Sequence, residues 1–189
     1  MKTILNNAIT CSTDYNYVKY LYPFLDSLIN VNIKADIFVR VVDFTKEQLL
    51  EIKSKYKNIN IIEDHPLMSE KKTLLKTSDK MILNNVYKIK NILDIKKVLY
   101  SPRSFYTCHS RFLSIKELLK RNYNVLSLDV DTIALKNFDE VFKLNYDILT
   151  VKSESNGDIF SNEGFLLFKN TEINKTYIHK IVNYIFTEK

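Results

Sequence analysis

The sequence predicts a three-layer α/β protein built on a mostly parallel central sheet. Short apolar runs, which are typical of strands, alternate along the chain with longer stretches whose apolar residues recur at helical spacing. Hydrophobic residues make up 46% of the 189 positions, and this share excludes a disordered or fibrous protein. A chain of this length has room for one domain, which we expect to span residues 1–189.

The first third of the chain is predicted to contain three strands separated by two helices. The strands are expected at residues 4–11, 36–42 and 60–63. Pro23 should lie in the first turns of the first helix or bend it, because proline cannot donate a hydrogen bond inside a helix. Thr45 and Gln48 have the spacing of a capping box, which predicts the start of the second helix.

The rest of the chain continues the alternation. Residues 64–100 are predicted to be helical in pieces, and a longer helix follows Pro102. The remaining elements are predicted as a helix at 104–120, strands at 124–128, 147–151 and 164–168, a polar loop at 153–161 and a helix at 172–186.

Composition excludes several classes of protein. The only glycines are Gly157 and Gly164, whereas a P-loop or a GxGxxG turn needs several glycines in one short loop. Two cysteines are too few for a disulfide scaffold. No stretch approaches the roughly 18 apolar residues of a membrane span, and the N-terminus shows no signal-cleavage pattern. We therefore expect a cytoplasmic protein.

The net charge of +6 is concentrated in one segment. Residues 71–97 contain eight lysines and two aspartates, and eight minus two equals the whole excess. The simpler interpretation is a solvated helical face, and the functional one is peripheral contact with membrane headgroups or an anionic acceptor. Nucleic acid is not an expected partner, because the segment lacks arginine clusters and stacking aromatics.

Three distant places in the sequence are predicted to converge at one edge of the sheet. In parallel α/β sheets, ligands bind beyond the carboxyl ends of the strands. The turn at 12–17, the helix start at 104–111 and the stretch 129–131 should all lie there. This edge is the predicted ligand site.

Asp129 and Asp131 directly follow the apolar strand NVLSL. Two carboxylates at a dry strand end repel each other and cost several kcal/mol unless a cation neutralises them. Hard divalent ions with oxygen ligands, Mg²⁺ or Mn²⁺, suit such a pair and commonly bridge carboxylates to phosphates. Asp129 and Asp131 are therefore the predicted metal ligands.

Four blocks of the sequence resemble the metal-dependent GT-A glycosyltransferases, most closely glycosyltransferase family 8. LSLDVDTIALKNFDEVF is similar to the DxD block of that family. Three further blocks occur in the family's order: TCSTDYNYVKYLYPFLDSL, SRFLSIKELL and FSNEGFLLFKN. The resemblance implies the GT-A fold and transfer of a hexose from a nucleotide diphosphate sugar, by default a UDP-sugar, usually with retention. The acceptor, whether glycan, lipid or protein, is not implied.

The resemblance also implies roles for individual residues. Asp129 and Asp131 would hold the metal, and Arg111 would contact phosphate or the donor sugar, so that these three form the expected catalytic set. The implied nucleotide-sugar site comprises Thr10, Cys11, Asp14, Tyr17, Arg111, Val130, Asn162 and Gly164. This chemistry agrees with the residue types, because a metal ion and a guanidinium can both stabilise a departing diphosphate.

Two departures from the family pattern leave alternatives open. The late HxxGxxKPW block, whose histidine supplies a third metal ligand, has no counterpart, and His179 is expected on a helix surface. The chain is also shorter than typical members, as a C-terminally short domain would be. The alternative is a degenerate, inactive sugar-nucleotide-binding or scaffold module. An aspartyl phosphohydrolase is disfavoured because Ile133 stands where such enzymes want threonine or valine.

Overall fold

The structure, a computed structural model, describes residues 6–65, 102–155 and 158–186. Within these ranges it contains six strands, five α-helices and two short 3-10 helices, the latter at Tyr15–Tyr17 and Asp139–Lys143. In chain order the strands and α-helices are β1 (Asn6–Asp14), α1 (Val18–Asn30), β2 (Asp36–Val42), α2 (Lys46–Lys55), β3 (Ile59–Asp64), α3 (Pro102–His109), α4 (Arg111–Lys120), β4 (Tyr123–Leu128), β5 (Ile148–Ser155), β6 (Asp158–Phe168) and α5 (Glu172–Phe186).

The six strands form one sheet in the order β3-β2-β1-β4-β6-β5. β1 pairs in parallel with both β2 and β4, and β2 pairs in parallel with β3. β6 runs antiparallel to its two neighbours, β4 and β5. The predicted α/β class with a mostly parallel sheet is confirmed.

Helices cover both faces of the sheet because strand side chains alternate between the faces. Ile9 and Leu126 belong to a buried cluster that includes residues of α1 and α2. Their neighbours Ala8 and Val125 belong to a second cluster, which includes residues of α4 and α5. The arrangement of helix, sheet and helix is the predicted three-layer one.

The local signals for helix starts are largely confirmed. Gln48 N donates to Thr45 Oγ1 at 3.3 Å and Thr45 N donates to Gln48 Oε1 at 2.8 Å, which completes the capping box of α2. Pro23 lies inside α1. The predicted helix 104–120 is divided into α3 and α4, which meet at Ser110.

The prediction of a polar loop at 153–161 was wrong. β5 continues to Ser155 and β6 starts at Asp158, so most of that stretch pairs as an antiparallel hairpin. The polar composition of this stretch indicated a loop. Polar residues can nevertheless form strands, because the backbone hydrogen bonds of a hairpin do not require apolar side chains. The lysine-rich segment 71–97, and the helices expected between 66 and 100, lie outside the described residues.

Among the helices in the described ranges, none combines the length and the apolar character that crossing a bilayer would require.

Candidate functional site

The carboxyl ends of β1 and β4 lie side by side at one edge of the sheet. Thr10 of β1 is the register partner of Ser127 of β4, and both strands run in the same direction. β1 then continues to Asp14, and the chain leaves β4 to reach Asp129. The first turn and the aspartate pair therefore share this edge.

The backbone around Asp129 is fixed on both sides. Asp129 N donates to Gly164 O of β6 at 3.1 Å, and Thr132 N donates to Asp129 O at 3.1 Å, which closes a tight turn. The Asp129 side chain is 40% exposed and Asp131 is exposed. The turn thus presents two carboxylates at the surface while its start is held by the neighbouring strand.

Arg111, the first residue of α4, contacts Asp129 at this edge. Its Nη2 donates to Asp129 Oδ1 at 2.5 Å, and its Nε donates to Cys108 O at 2.8 Å. The Arg111 side chain is only 12% exposed. The structure therefore joins two residues that are 18 positions apart in sequence, and a guanidinium contacts the first of the two aspartates.

Cys11 lies close to this ion pair, on the opposite face of β1 from Thr10. Burial raises the pKa of the Cys11 thiol to about 12, the Arg111 charge opposes this shift, and the Asp129 charge adds to it. A thiol with this pKa is protonated at neutral pH. Cys11 packs in the buried cluster on the α1 side of the sheet, and a protonated thiol is a poor nucleophile.

The two cysteines are expected to differ sharply in reactivity. In the native protein at pH 8, DTNB should modify the exposed Cys108 and leave Cys11 unmodified, because Cys11 is 1% exposed and protonated. In guanidinium chloride both thiols should react. Modification of Cys11 at the same rate as Cys108 in the native protein would contradict the described packing of β1.

Four buried polar atoms at the ends of β1 and β4 find no hydrogen-bond partner among the described residues. These atoms belong to the side chains of Thr10, Ser12, Asp14 and Ser127. The β1 members alternate along the strand and so share one face, and Thr10 lies beside Ser127. A buried polar atom without a partner costs about 1–3 kcal/mol, so such atoms are normally satisfied by water or a polar ligand.

Four of the residues that the resemblance assigns to the nucleotide-sugar site lie in β1 or in the turn that follows it. Thr10 and Cys11 have almost no exposed surface, and Asp14 is buried with its Oδ1 accepting from Asn16 N at 2.9 Å. Tyr17, in the 3-10 turn after β1, is 39% exposed and its ring centroid lies 5.9 Å from that of Tyr20.

Val130 and the β6 residues lie next to Asp129. Val130 is half-buried and packs against the core on the α1 side. Gly164 supplies the carbonyl that binds Asp129 N, and Asn162 lies two positions earlier in β6, where it pairs with Val151 of β5. Gly164 thus contacts Asp129 directly through its backbone, and Val130 belongs to the packing around the core.

Sequence reasoning missed two buried polar side chains of the sheet, Ser127 of β4 and Arg40 of β2. Arg40 of β2 is the register partner of Ser12. It is 6% exposed and bonds Ser114 Oγ at 2.8 Å, Asp64 Oδ2 at 3.1 Å and, through its Nη2, Glu117 Oε2 at 3.0 Å. A signal was present in both cases, because each residue is a polar one within a run of apolar residues, IFVRVV for Arg40 and VLSL for Ser127.

The carboxylate pair fits a hard divalent cation by the chemistry of its donors. Asp129 and Asp131 offer oxygen ligands only, and Mg²⁺ typically binds one or two carboxylates while keeping waters and substrate phosphates. No cluster of three or more His, Cys, Asp or Glu suited to a metal occurs within the described ranges. His179 is exposed on α5 and bonds Asn183 at 3.2 Å.

The sequence model of the nucleotide-diphospho-sugar transferases matches residues 49–189, about three quarters of the chain. The chain belongs to the nucleotide-diphospho-sugar transferase family. A search of curated proteins found no match.

Solved structures of glycosyltransferases share the fold of this family member. The apo form of the glycosyltransferase GlyE of Streptococcus pneumoniae TIGR4 is 17% identical with a TM-score of 0.59, and the match covers 97% of this chain and 39% of GlyE. The galactosyltransferase LgtC, solved with donor and acceptor sugar analogues, is 15% identical with a TM-score of 0.59, and the match covers 96% of this chain and 66% of LgtC. The bifunctional glycosyltransferase WbbM is 14% identical with a TM-score of 0.53, and the match covers 98% of this chain and 38% of WbbM.

These likenesses confirm the predicted GT-A fold for this member of the nucleotide-diphospho-sugar transferase family. The chain spans less than two thirds of the length of each of these three proteins.

Proposed function

We propose that this protein is a metal-dependent glycosyltransferase of the family 8 type. It transfers a hexose from a UDP-sugar to a glycan, lipid or protein acceptor, with retention at the anomeric carbon. The observation that carries the proposal is the contact of Arg111 with Asp129 at the carboxyl edge of a GT-A sheet. A cationic group and a carboxylate pair meet where this fold binds its ligands.

Asp129 and Asp131 would hold Mn²⁺ or Mg²⁺. When bound, such an ion supplies Lewis-acid stabilisation to the diphosphate that leaves the sugar. The backbone bonds of Asp129 to Gly164 and Thr132 support this role, because a ligand carried by a fixed turn needs little reorganisation on binding.

Arg111 would donate charge-assisted hydrogen bonds to the diphosphate oxygens, or to the donor sugar. Its guanidinium is anchored by Cys108 O and largely removed from water, so its interaction with a phosphate is weakly screened. Charge that develops on the leaving diphosphate would therefore meet a positioned cation.

The first turn would bind the nucleoside. Asp14 Oδ2 lacks a partner in the described part of the chain and would accept a hydrogen bond from the base or ribose. The exposed ring of Tyr17 offers a stacking surface for the base. Thr10 and Cys11 are assigned to the floor beneath this turn, and Asn162 to the donor-sugar side.

Thermal unfolding tests nucleotide and metal binding together. The Tm of the wild-type protein should rise with UDP in the presence of Mn²⁺ and stay unchanged with UDP alone, because the ligand stabilises only the native state it binds. Asp131→Asn should abolish the rise. The matched control Asp147→Asn, which changes an exposed aspartate immediately before β5, should retain the rise. An equal rise in both variants would argue against the assignment of Asp131.

A panel of nucleotide sugars with Mn²⁺, read as release of nucleoside diphosphate, tests the activity itself. Release from a UDP-hexose above the level of the Asp131→Asn variant supports a transferase. Nucleotide binding without release from any donor would instead favour the inactive binding or scaffold module. Contact of the lysine-rich segment 71–97 with anionic headgroups or an anionic acceptor stays a prediction.

A further inference from the structure

We infer that Arg111 makes metal binding by Asp129 and Asp131 conditional on the nucleoside diphosphate. Without the nucleotide the guanidinium holds the carboxylate that the metal needs, and the diphosphate releases that competition. The inference rests on the proposed function, and it assigns to Arg111 a positioning role that acts through Asp129.

The contact between Arg111 and Asp129 is held from both sides. Arg111 Nε donates to Cys108 O at the end of α3, which aims the guanidinium at the aspartate. Asp129 is tied to β6 through Gly164 O and to its own turn through Thr132 N. The pair at 2.5 Å is therefore a contact between two supported groups and not a chance approach of two mobile surface chains.

A guanidinium in this position opposes a divalent cation. Both groups carry positive charge, and both would bind the same carboxylate within a few ångströms of each other. Because the Arg111 side chain is only 12% exposed, water screens its charge less than it would screen that of an exposed arginine. Metal binding to the protein alone should therefore be weak.

A nucleoside diphosphate would reverse this effect. Its phosphate oxygens can accept hydrogen bonds from the guanidinium and ligate a metal at the same time, so the two cations no longer depend on one carboxylate. The nucleotide would then tighten metal binding, and the metal would tighten nucleotide binding by the same factor. The carboxylate pair would hold the metal mainly while the donor is present.

Titration of Mn²⁺, with unbound Mn²⁺ followed by its EPR signal, tests the inference directly. Without UDP, Arg111→Met should bind Mn²⁺ about tenfold more tightly than the wild type, since the variant keeps the side-chain length but removes the charge; tenfold corresponds to about 1.4 kcal/mol. UDP should tighten wild-type Mn²⁺ binding at least about tenfold and that of the variant much less. A protein-free titration corrects for the complex of Mn²⁺ with UDP.

The chain offers a matched control in Arg121, an arginine at the opposite end of α4 from Arg111. It follows α4 and pairs with Glu117 at 2.5 Å, away from the aspartate pair. Arg121→Met should match the wild type with and without UDP. Arg111→Gln, which is neutral but can still donate to Asp129, serves as a second variant if Arg111→Met does not fold, and it should also bind Mn²⁺ more tightly than the wild type.

The outcomes separate the inference from the proposed function. Mn²⁺ binding that Asp131→Asn removes, but that is equal in the wild type and the Arg111 variants, overturns the inference alone. Equal tightening by UDP in all variants does the same. If the wild type binds no Mn²⁺ beyond the protein-free value, even with UDP, the metal-dependent function and the inference both fail.

Discussion

Arg40→Met is expected to lower the free energy of unfolding by about 3 kcal/mol, because breaking a buried ion pair leaves a charge without compensation. The side chain of Arg40 is 8% exposed and that of Asp64 is 16% exposed. Asp64 would keep one bond, from Tyr106 at 2.9 Å, and Glu117 would keep its pair with Arg121. Most of the destabilisation should therefore come from the Asp64 carboxylate and the Ser114 hydroxyl, which lose their bonds to Arg40.

Urea denaturation of the two variants Arg40→Met and Arg121→Met provides the measurement. Arg121 makes an exposed i, i+4 pair, and its replacement should cost less than about 1 kcal/mol. Adding Asp64→Asn to Arg40→Met should recover part of the loss, since the double variant removes the uncompensated charge. A loss below about 1 kcal/mol for Arg40→Met would show that Asp64 and Glu117 are adequately solvated without it.

Asp129→Asn should reduce the rate of nucleoside diphosphate release by about a hundredfold or more. A metal at such a site supplies several kcal/mol of charge stabilisation to the leaving group, and each 1.36 kcal/mol corresponds to a factor of ten. The amide keeps the shape of the carboxylate but not its charge. It also removes the ionic partner of Arg111. The positive charges of the metal ion and of the Arg111 guanidinium would then have one carboxylate fewer to neutralise them.

The rate is measured as kcat and KM with the donor that the nucleotide-sugar panel selects. Asp147→Asn, which changes an exposed residue immediately before β5, is the control and should retain the wild-type rate. Circular dichroism should show that both variants are folded. An Asp129→Asn variant with more than a third of wild-type kcat would refute a metal-binding role for Asp129.

The parts of the structure that depend on local signals could be predicted from sequence. The capping box of Thr45 and Gln48 fixed the start of α2, and the alternation of apolar runs indicated the parallel strands. The same rule of parallel sheets placed the first turn, Arg111 and Asp129 at one edge. These features follow from short stretches of residues and from general rules of chain topology.

The features of the structure that depend on contacts between distant parts of the chain could not be predicted from sequence. The backbone pairing of β5 with β6 extends through polar residues that have no strand periodicity. Arg40 is buried because Asp64 of β3 and Glu117 of α4 pair with it, and no local sequence pattern predicts these two partners. The contact of Arg111 with Asp129 was likewise not predicted, because the resemblance implied phosphate or the donor sugar as the partner of the guanidinium.

The hairpin of β5 and β6 extends past the end of its neighbour β4. β4 pairs with β6 only from Phe165 to Phe168, whereas β5 pairs with β6 as far as Asp158. Among the residues that the structure describes, this outer stretch of β6 has no third strand beside it. Insertion or deletion of one residue on each strand of this stretch would therefore change the length of the hairpin, while the pairing of β4 with β6 from Phe165 to Phe168 stayed intact.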